Sequence, residues 1–452
     1  MLDKIIKDFQ YKKILILGFG KEGKSTYSFL RKYLKDINIT IKDQNHGIKN
    51  DPILENDNNV EVITGNNYLN DLEQYDIIMK SPGITFKNMD TSNFKDKIYS
   101  QLEILLKYYK NNIIGITGTK GKSTTSSLIY DILKNNNKKT LLLGNIGIPI
   151  FDYIDTIEND TILVVEMSSH QLEFVHSSPH IAIITNLYQD HLDHTNGLDD
   201  YYNCKMNITR FQDKNDALIY YKSCDTLDNL INIIKPKSNI ITTDFNNQLA
   251  NTYCYNNYIY INKKQVYNTL DKRKLVGEHN LINVMYALTV SNIFNLDNKK
   301  TIEAINNFTP LEHRLELVGT INNITYYNDS IATIPEATIN GIKSLKTVNT
   351  LIFGGMDRGI DYDEFIKYLY SCYVENLICM PTTGHKIANE LIKLNSNKNI
   401  YLVDTLEEAV KKAKSITKND MICLMSPAAA SYEYFKNFEE KGKEYKRLVK
   451  EL

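Results

Sequence analysis

The chain has no tryptophan, no C-x-x-C pair among its six cysteines, and no uninterrupted apolar run long enough to cross a bilayer. The missing tryptophan excludes no class of function. The cysteines, Cys204, Cys224, Cys254, Cys372, Cys379 and Cys423, are scattered. That pattern argues against a zinc knuckle and a disulfide framework and points to reduced thiols. A spanning helix needs about 20 mainly apolar residues, so no membrane partner is expected. Residues 1–9 mix Lys and Asp into their apolar positions and do not read as a secretory signal, which leaves a cytoplasmic protein as the expectation. Excess charge is missing too: 53 Lys and Arg against 54 Asp and Glu give a net charge of −1. Nucleic acid is therefore not an expected partner, and any polyanion has to be gripped locally.

What is present is a chain of 452 residues, 42% hydrophobic and 24% charged, the composition of a soluble globular protein with more than one core. Short apolar runs alternate with amphipathic stretches, the pattern of parallel strands covered by helices. The expected fold is α/β in three domains: a Rossmann-like one over 1–97, a central P-loop-type ATP-binding one with a mostly parallel sheet over 98–310, and a second Rossmann-like one over 311–452. Strand-like runs fall at 13–17, 37–41, 60–64 and 76–80, then at 113–117, 161–166 and 181–186, and finally at 350–353, 376–380 and 421–425. The polar segment 223–274 has Tyr- and Ile-rich runs suited to β-hairpins, and 278–294 reads as an amphipathic helix.

The run Gly115-Ile116-Thr117-Gly118-Thr119-Lys120-Gly121-Lys122-Ser123-Thr124 lies between a strand-like and a helix-like segment. Glycines there let successive N–H groups turn toward phosphate oxygens, the helix N-terminus adds positive potential, and Lys122 neutralises the outer phosphates while Ser123 offers a hydroxyl to magnesium. The glycine spacing departs from G-x-x-x-x-G-K-[ST], since Ile116 stands five before Gly121. An earlier turn, Gly18-Phe19-Gly20 with Gly23 following and Asp43 ending a later strand, fits a dinucleotide fingerprint, a nucleotide-diphosphate cradle or plain helix packing. A hydride-transferring dehydrogenase would leave the second phosphate loop unexplained.

Glu166 ends an apolar strand, and 186–194, N-L-Y-Q-D-H-L-D-H, follows the next one, so carboxylate and imidazole donors gather where open α/β sheets bind ligands. Magnesium suits Ser123, Glu166 and phosphate oxygens, whereas His191 is a softer donor. By its own surroundings in the sequence, Lys205 reads as a solvated helix lysine. A non-catalytic nucleotide-binding regulator would have no need of Lys122, Glu166, His191 and Lys205 together.

The order of motifs, G-T-K-G-K-S-T, E-M-S-S-H-Q-L-E, N-L-Y-Q-D-H-L-D-H, G-E-H-N-L-I-N, E-H-R-L-E and N-D-S-I-A-T, resembles the Mur ligase family over nearly the whole chain. The G-F-G-K-E-G and S-P-G-I motifs, with the C-terminal S-P-A-A-A-S-Y-E-Y-F-K-N-F-E-E-K-G, resemble its D-glutamate-adding branch. The resemblance implies a monomeric ligase that uses ATP and Mg2+ to join D-glutamate to UDP-N-acetylmuramoyl-L-alanine through an acyl phosphate. A family member for another amino acid, or a folate-glutamylating relative, is the alternative within the same chemistry. By position, the resemblance makes Lys122, His191 and Lys205 catalytic. It gives ATP Gly118, Thr119, Lys120, Gly121, Lys122, Ser123, Thr124, Asn280, Asn283, Arg314 and Asp329, and the metal Ser123, Glu166, His191 and a carbamylated Lys205. Gly18, Asp43, Ser81, Pro82, Gly83, Asn145, Ser168 and Gln171 would hold the UDP-linked substrate, and Thr333, Arg358, Ser431 and Phe438, the last through its backbone, D-glutamate. Two positions depart from the family pattern: Ile331 and Arg358 each stand where a lysine is expected.

Overall fold

The computed structural model describes residues 1–144, 149–189, 196–309 and 311–452. Their strands form three sheets of five, nine and six members. The chain divides into two compact units, Met1–Leu270 with Asn283–Ile305, and Asp271–Ile282 with Asn306–Leu452.

In the first unit, Ile14–Leu17 is the central strand of the five-stranded sheet, flanked by Ile39–Asp43 and Ile77–Lys80, with Val60–Thr64 and Ile98–Tyr99 at the edges. Every pair is parallel. Ile14–Leu17 is buried at all four positions, as expected for a strand covered on both faces. Helix Lys21–Tyr33 buries Tyr27, Phe29 and Leu30, and the N-terminal helix Leu2–Phe9 adds Ile5 and Phe9 to the same core.

The nine-stranded sheet has Ile113–Thr117 between Ile162–Glu166 and Ile181–Ile184; Thr140–Gly144 closes one edge, and Ala217–Tyr221, Asn239–Asp244, Thr252–Tyr255, Tyr258–Ile261 and Lys264–Asn268 extend the other. Pairing is parallel as far as Thr252–Tyr255, after which two hairpins make it antiparallel. Those hairpins match the expectation for 223–274 only over 252–268, since Asp225–Ile234 is a helix and Asn239–Asp244 pairs in parallel; their turns use Asn256 with Asn257 and Asn262 with Lys263, all at positive φ, the geometry that suits the twist of a two-residue hairpin loop. The expected amphipathic helix needs correction. Helix Glu278–Ile293 buries Val284, Met285, Tyr286, Ala287, Leu288, Thr289 and Val290 in succession, so its middle is covered on every side and no polar stripe remains there.

In the second unit, the sheet order is Glu316–Ile321, Ile324–Asn328, Ile422–Met425, Val348–Phe353, Asn376–Cys379 and Asn399–Leu402. Only the first pair is antiparallel. Two apolar clusters, around Phe353 and Phe365 and around Tyr326 and Tyr445, fill this unit. Among the described residues, no helix is long and apolar enough to cross a membrane.

Candidate active site

Strand Ile113–Thr117 runs straight into the glycine-rich turn, and helix Lys122–Asn135 starts immediately after it. The turn is glycine-rich because side chains would not fit. Gly118 has φ +139, and a Cβ there would lie 2.0 Å from Thr185 Oγ1; Gly121 has φ +85, and a Cβ there would lie 2.8 Å from Asn283 Oδ1. The neighbouring strand end clasps the loop. Asn186 Oδ1 accepts from Lys120 N at 2.8 Å, Asn186 Nδ2 donates to Lys120 O at 2.9 Å, and Thr185 Oγ1 donates to the same carbonyl at 2.6 Å. Thr119 Oγ1 accepts from Tyr188 N at 2.9 Å. The loop is thus fixed in shape by partners on one side, and Asn283 adds a contact by accepting from Thr125 Oγ1 at 3.1 Å. Thr124 is buried in the first helical turn.

Two lysines meet at this loop. Lys122 Nζ donates to Gly118 O at 3.0 Å and to Thr119 O at 2.9 Å, and Lys205 Nζ donates to Gly118 O at 2.9 Å. The reading of Lys205 as a solvated helix lysine is wrong: it is 2% exposed and lies 4.7 Å from the Tyr201 ring centroid. Helix Leu198–Arg210 turns that face inward, burying Tyr201, Cys204, Lys205 and Ile208 at helical spacing.

Glu166 is 1% exposed at the end of its strand, in register with Ile116. Ser123 lies in the first turn of the helix after the adjacent strand. A hydroxyl and a carboxylate flanking a phosphate loop are hard oxygen donors of the kind magnesium takes, so the described donor set fits that ion. His191, the third proposed metal ligand, and Asn145 lie outside the described residues.

At the carboxyl ends of the five-stranded sheet, Gly18 has φ +88, and a Cβ there would lie 2.9 Å from Ser81 Cβ and from Ile84 Cγ1. Ser81 Oγ donates to Gly18 O at 2.9 Å, and Asp43 Oδ2 accepts from Phe19 N at 2.7 Å. Gly18, Asp43 and Ser81 therefore converge where the strand order reverses, with Pro82 and Gly83 continuing the same turn. Asp43 braces the glycine turn through a backbone amide, a role the strand pattern did not reveal. Ser168 caps the short helix Ser169–Leu172, and Gln171 closes the capping box. Gln171 Nε2 also donates to Glu22 Oε1 at 3.2 Å, tying the second motif to the first glycine turn.

In the second unit, Asp329 Oδ1 accepts from Leu315 N at 3.1 Å and its Oδ2 accepts from Ser426 Oγ at 2.8 Å, which brings Arg314 and Asp329 to one corner. Asn280 Nδ2 donates to Val276 O at 2.7 Å. The Gly354–Gly355 turn is joined to the 427–431 loop, with Gly354 N donating to Pro427 O and Met356 N to Ala430 O, both at 2.9 Å. Arg358 and Ser431 therefore sit on two connected loops. Ser431 is 4% exposed, and its Oγ has no hydrogen-bond partner among the described residues. Thr333 follows Ile331, whose N–H donates to His313 O at 3.3 Å. The Phe438 ring meets the His313 ring edge-on at 6.0 Å.

Family models match in chain order: the Mur ligase MurD-like N-terminal domain over 12–100, the Mur ligase middle domain over 116–291 and the Mur ligase glutamate ligase domain over 313–428. The UDP-N-acetylmuramoylalanine--D-glutamate ligase of Oenococcus oeni is 33% identical over 450 residues, covering 98% of each chain. That of Clostridium botulinum strain Hall is 34% identical over 458 residues, covering 99% of this chain and 98% of its own. The chain belongs to the Mur ligase family. Solved Mur ligases share its fold: UDP-N-acetylmuramate-alanine ligase MurC of Thermotoga maritima at TM-score 0.59, 18% identity and 98% and 100% coverage, and the Thermotoga maritima MurF ligase in complex with ADP at 0.60, 14%, and 99% and 97%.

Several residues of this Mur ligase that shape the site carried no signal of their own in the sequence. Thr185 clasps the phosphate loop from 65 residues away, beside Asn186, which the sequence showed only as the start of the 186–194 run and which reaches the loop from 66 residues away. Lys80, just before Ser81, is buried between the Phe86 and Phe174 rings and pairs with Glu173 at 3.2 Å. Burial lowers its pKa, opposed by Glu173 and Glu22, and burial raises the pKa of Glu22 against the hydrogen bond from Gln171 and the charge of Lys80. Lys42 and Lys441 are further buried lysines that escaped notice.

Proposed function

We propose that this Mur ligase adds D-glutamate to UDP-N-acetylmuramoyl-L-alanine, consuming ATP and releasing ADP and phosphate, as a step of peptidoglycan precursor synthesis. The observation that carries this reading is the likeness of 33–34% over essentially the whole chain to relatives of that activity. The phosphate loop gives it chemistry. ATP would lie against the N–H groups of Gly118–Thr124, with Lys122 beside its outer phosphates and Asn280, Asn283, Arg314 and Asp329 around the rest of the nucleotide.

In the proposed sequence, an oxygen of the substrate carboxylate attacks the γ-phosphorus, the bond to ADP breaks, and an acyl phosphate forms. The amine of D-glutamate then attacks the acyl carbon, the amine loses a proton, the C–O bond to phosphate breaks, and an amide results. Lys122 offsets negative charge on the transferring phosphoryl group. When bound by Ser123, Glu166, His191 and a carbamylated Lys205, Mg2+ supplies further charge neutralisation to the phosphates. Carbamylation would convert Lys205 from a cation to an anion, a group able to support a second cation beside the phosphates. Gly18, Asp43, Ser81, Pro82 and Gly83 would take the uridine diphosphate end, and Asn145, Ser168 and Gln171 the muramoyl end. Thr333, Arg358, Ser431 and the Phe438 backbone would take D-glutamate, for which a guanidinium is at least as apt as the expected lysine, since it can hold a carboxylate bidentately.

We further propose domain borders at 97/98 and 310/311, and a monomer at work in the cytoplasm. Incubation with ATP, Mg2+, UDP-N-acetylmuramoyl-L-alanine and a panel of amino acids tests the reading. Phosphate release is expected with D-glutamate; release with L-alanine in its place would overturn the assignment.

A further inference from the structure

Lys441 is 2% exposed in the first turns of helix Phe438–Lys450, and its Nζ donates to Gly354 O at 2.9 Å. Among the described residues it forms no ion pair. A buried ammonium without a carboxylate is uncommon, because one carbonyl returns only part of its lost hydration. The carbonyl it holds belongs to a demanding turn. Gly354 and Gly355 have φ +123 and +152, and a Cβ on Gly355 would lie 2.4 Å from Ala430 O. Gly355 O accepts from Thr382 N and Thr383 N at 3.0 Å and from Thr383 Oγ1 at 2.7 Å. The turn leads directly to Arg358 and is bonded to the loop that ends in Ser431, whose buried hydroxyl oxygen has no partner among the described residues. The same helix presses on the segment that contains Ile331, since a Cβ on Gly442 would lie 2.4 Å from Ser330 Oγ.

We infer that Lys441 is a positioning residue for the amino-acid substrate, fixing the Gly354–Gly355 turn so that Arg358 and Ser431 are held for a dicarboxylate and adding buried positive charge behind them. The inference rests on the D-glutamate reading above. Burial, which lowers the Lys441 pKa to about 8, fits a site that gains an anion when it works.

The test is steady-state kinetics of the full chain with Lys441→Met, Lys441→Arg and wild type. Lys441→Met is expected to raise KM for D-glutamate at least tenfold, leave KM for ATP and for the UDP-linked substrate within twofold, and speed amide hydrogen exchange at 354–358. Lys441→Arg should recover D-glutamate KM to within about threefold. An unchanged D-glutamate KM in Lys441→Met, or equal increases for all three substrates, overturns the inference. Should Lys441→Met fail to fold, Lys441→Gln takes its place with the same expected and overturning outcomes. Wild type that uses another amino acid instead would sink the functional reading, which separates the two failures.

Discussion

Replacing Gly118 by alanine tests whether the phosphate loop works through its backbone shape. The new Cβ would sit 2.0 Å from Thr185 Oγ1 and 3.1 Å from Asn186 N and O, at a residue whose φ is +139. A non-glycine residue in such a conformation costs about 1–3 kcal/mol. Thr185 would have to turn away from Lys120 O and Thr117 O, which its hydroxyl reaches at 2.6 and 3.2 Å, at about 1 kcal/mol for the lost hydrogen bonding. The free variant relaxes, so restoring the loop around nucleotide requires roughly 3 kcal/mol, or about a hundredfold in kcat/KM for ATP. Thr185→Ala alone loses the hydroxyl and should cost about fivefold. With both changes the overlap is gone and the hydroxyl is lost only once, so the double variant should be about fivefold better than the product of the single effects. The assay is phosphate release against ATP concentration with the other substrates saturating. Gly20→Ala is the control, because a Cβ there meets nothing within 4 Å. A Gly118→Ala enzyme within fivefold of wild type, or effects of the pair that simply multiply, would refute this account of the loop.

Lys80→Met should destabilise the first unit by roughly 3 kcal/mol because it removes the cation facing Glu173, and adding Glu173→Leu should recover most of the loss; melting curves of the three variants decide. Burial raises the Asp57 pKa, but hydrogen bonds from Arg31 and Tyr27 outweigh it and hold the carboxyl below its usual value. Its contribution is therefore present above the unfolded pKa of about 3.9 and fades as pH falls through the lower folded value. The stability gap between wild type and Asp57→Asn should accordingly narrow below about pH 4. Burial pushes the Cys204 and Cys423 thiols up to about 12, so mass spectrometry after iodoacetamide at pH 8 should find both labelled more slowly than the half-buried Cys254. Residues proposed for one reaction belong to both compact units, so an ATP analogue with the UDP-linked substrate should reduce the radius of gyration in solution scattering, and an unchanged profile would count against the closure.

Local signals were the readable ones. The strands 60–64 and 113–117 appear at the expected bounds; 113–117 is buried at every position, and a strand covered on both faces must be an apolar run whatever surrounds it. The phosphate loop was readable because the positive φ at Gly118 and Gly121 selects glycine locally. Thr140–Gly144 escaped notice: although apolar, it is only half-buried at an edge and borders a glycine rather than a motif. The hairpins of 252–268 were visible through Tyr and Ile content, but not that Asn239–Asp244 would pair in parallel with Ala217–Tyr221, since that register depends on where a helix returns the chain.

Charge was the hardest property to read, and the lysines show why. Lys205 and Lys441 occupy helices whose local sequence gives each an ordinary solvent-facing appearance, yet each ends on a loop carbonyl 87 residues earlier, at Gly118 O and Gly354 O. A lysine's cost of burial is set by what the rest of the fold brings to its ammonium, and no window of neighbouring residues contains that information. Counting charges motif by motif therefore misleads: Ile331 registers as a lost cation, while the helix packed against Ser330 carries a buried one.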